Sequence, residues 1–347
     1  MSQMSAAAPT PGRTQRGIAA RVGSQHATFV DIPAPAAPGP GEALCRTLEL
    51  GICGTDREII EAAQPFTPAG EDFLVLGHEC LAEVVDVGPE VRGFKPGDLV
   101  VPTVRRRLGP SPCRIDLLSM GQYTERGIVR QHGFSAPLWV DPVECLLPVE
   151  PELAGVAVLT EPQSVAEKAF HEALAAQRAR LGPDAWTDPP PRVLITGMGP
   201  IAFAGLLAAA ARGWPATLLG RDAAGSPKVE TALAWGGRYL HVNDFDAAPA
   251  DLDRDGFDLL LECTGDERLL VEAAGARAPR GVSVWLAAAR RQRETALDWG
   301  RFLRQSLVRN HIHIGSVNAA PRDLDAALAH LRRFHQTRPN DLAALIT

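Results

Sequence analysis

The chain has no disulfide-like cysteine pattern, no leader-like apolar stretch and no basic surplus, and each absence closes a class of function. Its six cysteines (45, 53, 80, 113, 145 and 263) are scattered, so reduced thiols and a cytoplasmic setting are expected. Met1 to Arg16 contains no apolar h-region, and no secretory signal is read there. With 35 Lys and Arg against 41 Asp and Glu the net charge is −6, which offers no electrostatic footing for nucleic acid. The one compact basic run, Arg105-Arg106-Arg107, lies between Pro and Gly and reads as a solvated loop. Val193 to Ala211 is uncharged for 19 residues, but Gly197, Gly199, Pro200 and Gly205 interrupt it. That run suits a buried strand, a tight turn and a helix better than a membrane span. No internal repeat is present.

What remains is a length of 347 residues, enough for about two domains. Residues 1–16 are small and polar and are expected to be a disordered tail. From Gly17 to about Pro102, alternating apolar runs between Gly and Pro predict antiparallel strands at 29–33, 42–50, 81–87 and 98–102. The stretch 103–124 has no clear period and reads as a long loop. After residue 148 the pattern changes. A helix is predicted over 161–181, stopping at Gly182. Strands at 192–196, 216–219, 239–242, 257–262, 282–286 and 311–316 then follow, with helices at 200–212 and 229–234. Strands alternating with helices imply an α/β, doubly wound parallel sheet.

Gly197-x-Gly199-x-x-Ala202 stands after a strand and opens a helix. The first glycine permits the tight turn, the second lets backbone approach a pyrophosphate, and Ala202 still allows close helix–strand packing. Pro200 and Ile201 begin the helix, whose N-terminal N–H groups suit phosphate. A cofactor's ribose is read at the end of the second strand, where an acid binds a 2′-hydroxyl and an arginine accommodates a 2′-phosphate. Gly220 occupies the usual acidic place with Arg221 beside it, favouring NADP. The alternative is that Asp222 reaches back, leaving NAD or dual use.

Gly51-Ile-Cys-Gly-Thr-Asp56 and Gly77-His-Glu79 place a thiol, an imidazole and carboxylates in two short stretches. Cys53 and His78 suit zinc, which in catalytic sites takes three protein ligands and keeps one open position. Glu161 is the preferred third ligand, and Glu79 is a fourth candidate or a carboxylate tuning the metal from outside. Taken singly, Cys53 also fits a buried small hydrophobe, His78 a satisfied loop histidine, and Glu161 a carboxylate complementing a helix dipole.

Gly77-His-Glu79, Gly88, Val91, Gly97-Asp98 and 51–56 together resemble the zinc-dependent medium-chain alcohol dehydrogenase superfamily, with Ala82 replacing one glycine of its signature. Residues 104–106, 121–128, 132–134, 159–162, 220–221, 262–265 and 315–318 carry a closer likeness to its archaeal-type glucose 1-dehydrogenase branch. The resemblance runs from about residue 17 to the end. It implies a β-rich GroES-like catalytic domain, a partly open barrel over 17–162 completed by 316–347, and a Rossmann NAD(P)-binding domain over 163–315.

The resemblance also implies a zinc-dependent oxidoreductase that oxidises an aldose, D-glucose foremost, to the lactone with NADP. Zinc is implied at Cys53, His78 and Glu161, with Glu79 close by. Thr55 is implied to relay the substrate proton, Glu125 and Asn318 to hydrogen-bond the sugar, and Thr264 to lie near the nicotinamide half. Relatives are dimers or tetramers, so a homo-oligomer is expected. Many relatives hold a second, structural zinc on four cysteines, whereas the lobe 107–120 has Cys113 alone, which excludes such a site. The chain stops at Thr347, where relatives continue for a further segment. Two alternatives remain: a zinc alcohol or polyol dehydrogenase with another substrate, and an inactive NADP-binding relative.

Overall fold

The computed structural model describes residues 12–245, 256–288, 294–343 and 345–346, and the chain divides into two compact units, Met1–Glu161 and Pro162–Thr347. In the first, short apolar alternation produces β1 (Thr14–Arg21), β2 (Thr28–Pro33), β3 (Glu42–Gly51), α1 (Gly54–Ala62), β4 (Phe73–Val75) and β5 (Glu79–Val87). β6 (Leu99–Pro102), β7 (Arg105–Arg107), β8 (Tyr123–Arg126), β9 (Arg130–Gln131), β10 (Leu138–Pro142) and β11 (Leu146–Val149) follow. They form a five-stranded sheet in the order β10-β3-β5-β6-β11 and two three-stranded sheets, β2-β1-β4 and β7-β8-β9. The larger sheet is antiparallel throughout and buries Cys45, Val84, Val100, Phe134 and Trp139 on one face. Each large side chain so removed from water contributes about 1.5–3 kcal/mol.

Two expectations fail in this unit. Of the stretch expected as a tail, residues 1–11 lie outside the described residues, while Thr14–Arg16 already belong to β1, paired with β2 in the register Thr14↔Pro33. Ladder hydrogen bonds outweigh the polar composition there. The expected loop 103–124 contains β7, and of its three arginines Arg105 and Arg106 turn inward while Arg107 is exposed. Arg105 is 3% exposed and lies 2.9 Å from Glu125, while Arg106 meets the buried Asp141 at 2.7 Å. Burial alone would raise the Asp141 pKa, but Arg126 and Arg106 hold it below the usual carboxylate range. Carboxylates 20 and 35 residues away neutralise Arg105 and Arg106, so local composition does not reveal them.

The second unit carries α2 (Thr160–Leu181), β12 (Val193–Thr196), α3 (Pro200–Arg212), β13 (Ala216–Gly220), α4 (Pro227–Ala234), β14 (Arg238–His241) and β15 (Phe257–Glu262). α5 (Glu267–Gly275), β16 (Arg277–Trp285), α6 (Trp299–Val308), β17 (Ile312–Gly315), α7 (Pro321–Thr337) and α8 (Pro339–Ala343) complete it. The six strands are parallel in the order β14-β13-β12-β15-β16-β17. Strand order reverses between β12 and β15, the topological switch at which open α/β sheets bind ligands. α3 has Pro200 at its first position and Gly213, at φ 71°, as its left-handed stop. Together with β12 it accounts for the uncharged run 193–211. Among the described residues no helix is long and apolar enough to cross a membrane.

Residues 316–347 were expected to complete the first unit, yet they group with the second. Leu324, Ala327, Leu328 and Leu331 form one buried stripe of α7, at the i, i+3, i+4, i+7 spacing of an amphipathic helix. α7 packs against α3. It is tied to α2 by His171–Asp323 at 2.6 Å and His330–Glu167 at 2.8 Å.

Candidate active site

Strand register explains why two separate motifs meet. β3 and β5 pair with Gly51 opposite Glu79, which sets the chain after β3, with Cys53, beside the residue before β5, His78. A Cβ at Gly51 would collide with the Glu79 carboxylate, so only glycine leaves that acid its place. Gly77 has φ +90°, a left-handed conformation glycine adopts without strain, and it delivers His78 into the interior, 3% exposed. Cys53 is the N-cap of α1, and its N–H donates to Asp56 Oδ2 at 2.9 Å.

The sulfur of Cys53, the imidazole of His78 and the carboxylate of Glu79 offer ligand atoms within 4.8 Å of one another. Glu161, the preferred third ligand, stands outside that triplet, in the first turn of α2, but interacts electrostatically with His78 and Glu79. The 3-10 turn Ala157–Leu159, which packs on β3 and β5, brings it there. Thr55 Oγ1 lies 3.7 Å from Cys53 Sγ. Glu125 is buried, and Arg105 directs both Nε (3.0 Å) and Nη2 (2.9 Å) to its Oε1.

Electrostatics point the same way. Burial opposes charge on His78, but Asp56, Cys53 and Glu161 hold its pKa well above the ordinary value. Burial raises Glu79 and pushes Glu161 up to about 7, against the pull of His78 and with the push of Glu79, Glu125 and Asp56. Crowded buried acids around one imidazole strain against their own charge, and a divalent cation relieves that strain. The buried Nδ1 of His78 makes no hydrogen bond, with Asp56 Oδ1 3.5 Å away. One sulfur, one nitrogen and one oxygen donor with a further carboxylate nearby fit zinc and leave a coordination position open.

In the second unit a cavity of about 690 Å³ opens at the topological switch, within the usual range of ligand pockets. Of the sequence-predicted cofactor residues, Gly197, Gly199, Gly220, Arg221 and Thr264 line it. Pro200 and Ile201 open α3 without lining it, and Asn318 (φ 60°), which follows β17, does not line it either.

Sequence reading missed the groups that hold these residues in place. The fully buried Glu262 accepts from Thr196 Oγ1, both Thr264 donors and the Gly265 N–H, which sets the turn bearing Thr264. Asp56, counted in the sequence only as a carboxylate of the 51–56 stretch, caps α1 and faces His78, a positioning role that its place two residues after Gly54 did not reveal. Lys228 and Arg268 also line the cavity, and nothing local marked them.

Residues 39–149 match the model of the alcohol dehydrogenase GroES-like domain, and residues 154–347 that of the glucose dehydrogenase C-terminus. The chain is 38% identical over 319 residues to a glucose 1-dehydrogenase of Thermoproteus tenax, covering 91% of this chain and 87% of that one. It is 36% identical over 312 residues to a glucose 1-dehydrogenase of Halobacterium salinarum, covering 86% and 83%. Among solved structures, Haloferax mediterranei glucose dehydrogenase in complex with NADP, Zn and gluconolactone is similar at TM-score 0.78 and 29% identity, covering 96% of each chain. 2R,3R-butanediol dehydrogenase from Bacillus subtilis, at 20% identity and TM-score 0.74 over 92% and 88%, shares the fold alone.

Proposed function

The chain belongs to the glucose dehydrogenase branch of the zinc-dependent medium-chain alcohol dehydrogenase superfamily, and on that premise we propose that it oxidises D-glucose at C1 to the lactone with NADP. The observation that carries the reading is the convergence of Cys53, His78 and Glu79 within 4.8 Å. In the reaction the substrate loses a hydride from C1 and a proton from its hydroxyl, and NADP becomes NADPH. When bound, zinc supplies a Lewis acid that lowers the pKa of the reacting hydroxyl, and NADP supplies the hydride acceptor.

Cys53, His78 and Glu79 hold the metal, with Glu161 as the further carboxylate beside it. Thr55 Oγ1, adjacent to the ligand sulfur, takes the proton from the sugar hydroxyl and passes it towards solvent. Glu125, oriented by Arg105, hydrogen-bonds the sugar and aligns its C–H. Gly197, Gly199, Pro200 and Ile201 seat the pyrophosphate at the head of α3, and Thr264 flanks the nicotinamide half. The protein works as a cytoplasmic homo-oligomer. Its six unpaired cysteines agree with a reducing compartment, and sedimentation of the purified chain reads the subunit count.

The test is NADP reduction by the purified protein with D-glucose and a panel of aldoses and simple alcohols, before and after chelation. Chelator-sensitive turnover on glucose is expected. Turnover confined to a simple alcohol or polyol overturns the sugar assignment, and turnover untouched by complete zinc removal overturns the metal assignment.

A further inference from the structure

The segment that carries His78 into the interior is braced by a side chain that the proposed reaction does not use. β4 is the edge of its sheet, and residues 132–135 run along the segment from Val75 to Gly77. The N–H groups of Gly133, Ser135 and Phe134 donate to the carbonyls of Val75, Leu76 and Gly77 at 2.8, 2.9 and 2.9 Å. A Cβ at Gly133 would collide with the Leu76 and Gly77 carbonyls, so the two segments are in close contact. His132 adds a tie of another kind, made by its ring. Its Nδ1 accepts the Val75 N–H at 3.2 Å, its Nε2 lies 2.9 Å from Glu71 Oε2, and the ring stacks on Phe73 at 5.2 Å and 9°.

An amide N–H can only donate, so Nδ1 is the unprotonated nitrogen and Nε2 donates to Glu71. A second proton would have to enter at Nδ1, where it would face the Val75 N–H and break that bond. Only Leu76 and Gly77 separate Val75 from His78, so a displacement of Val75 is passed on to the His78 imidazole. We propose that His132 is a positioning residue of the metal centre: as the neutral Nε2–H tautomer it braces the segment that delivers His78, and its protonation releases the brace. The charged groups around it are Glu71 and Arg126, whose Nη1 donates to the His132 carbonyl at 3.1 Å. Beyond Phe73, Arg21 lies over that ring and pairs with Asp72. Burial depresses the His132 pKa below the ordinary 6.5; Glu71 opposes the shift and Arg126 adds to it. The brace is therefore complete above pH 6.5 and is lost as pH falls through the depressed folded value. The inference rests on the metal reading above.

Two measurements on the full chain test it without turnover. A long-range proton–nitrogen correlation spectrum of the metal-free protein should show His132 protonated at Nε2 alone at neutral pH; a proton on Nδ1 overturns the proposal independently of the metal. Zinc affinity is then read by competition against a chromophoric chelator. Asn places an acceptor oxygen where Nδ1 stood, whereas Gln reaches towards the Nε2 position. H132N should therefore hold zinc within about twofold at neutral pH, and H132Q about tenfold less tightly. Cys53 and His78 make zinc binding pH-dependent in every variant, so the pH readout is the ratio of H132N to wild-type affinity. That ratio should be flat above about pH 6.5 and rise between there and about pH 5. Equal affinities of H132N and H132Q, or a ratio that stays flat throughout, overturn the inference; if H132Q fails to fold, the H132N ratio decides. If Cys53→Ser leaves zinc bound as before, the metal reading itself falls, and this inference with it.

Discussion

Asp56 shows how one side chain serves both local folding and the site. Its Oδ2 accepts the Cys53 N–H and closes the start of α1, while its Oδ1 faces the His78 imidazole at 3.5 Å. Burial alone would raise its pKa, but His78 and the N–H groups of Cys53 and Gly77 hold it below the usual range. Groups that orient a metal ligand typically govern affinity by about 10–100-fold. Asp56→Asn is therefore expected to lower zinc affinity by about that factor with the fold retained, read by competition against a chromophoric chelator. Cys53→Ser should abolish both zinc retention and turnover. Unchanged zinc content in either variant would remove that residue from the metal site.

At the scale of elements, β17 and the residue before it meet a buried arginine. Arg277, 1% exposed, donates to the carbonyls of Ala274 and Ile312. Burial, then the charge of Arg277, depress both His311 and His313 from the ordinary 6.5 to about 4. A depressed folded-state pKa means that the unfolded chain binds protons first as pH falls. The stability these histidines contribute is complete above pH 6.5 and is lost between 6.5 and about 4. The melting midpoint should fall over that interval, and replacing both residues by Asn should flatten that part of the profile. An unchanged slope in the double variant would assign the acid sensitivity to other groups.

Legibility also varied by element. α3 and β15 have the ends their sequence pattern predicts, because Pro200, Gly213 and an unbroken apolar run mark them locally. α6 gave no such signal, since Phe302 is its one buried residue and a helix needs several to print a period. β7 was read as solvated because the carboxylates that neutralise it come from β8 and β10.

For the whole molecule, each unit is expected to respond to its own ligand. A ligand bound only by the folded state stabilises it by about 2.7 kcal/mol at one hundred times its dissociation constant. Scanning calorimetry should therefore show chelation lowering, and NADP raising, the unfolding temperature. A profile indifferent to NADP at saturating concentration would contradict a cofactor site in the second unit.

By itself the sequence determined the two-unit α/β plan, the glycine turn at Gly197-Met-Gly199 ahead of α3 and the donor types Cys53 and His78. These depend on the spacing of small, apolar and chelating residues along short stretches, where local backbone geometry decides the outcome. Only the tertiary structure decided that Glu79 joins Cys53 and His78 while Glu161 stands beside them. It likewise decided that Arg105 and Arg106 turn inward, and that Lys228 shares a cavity with Arg221. The physical reason is register and loop closure: these neighbours meet through strand pairings and turns between segments distant in sequence, whose alignment no local pattern encodes.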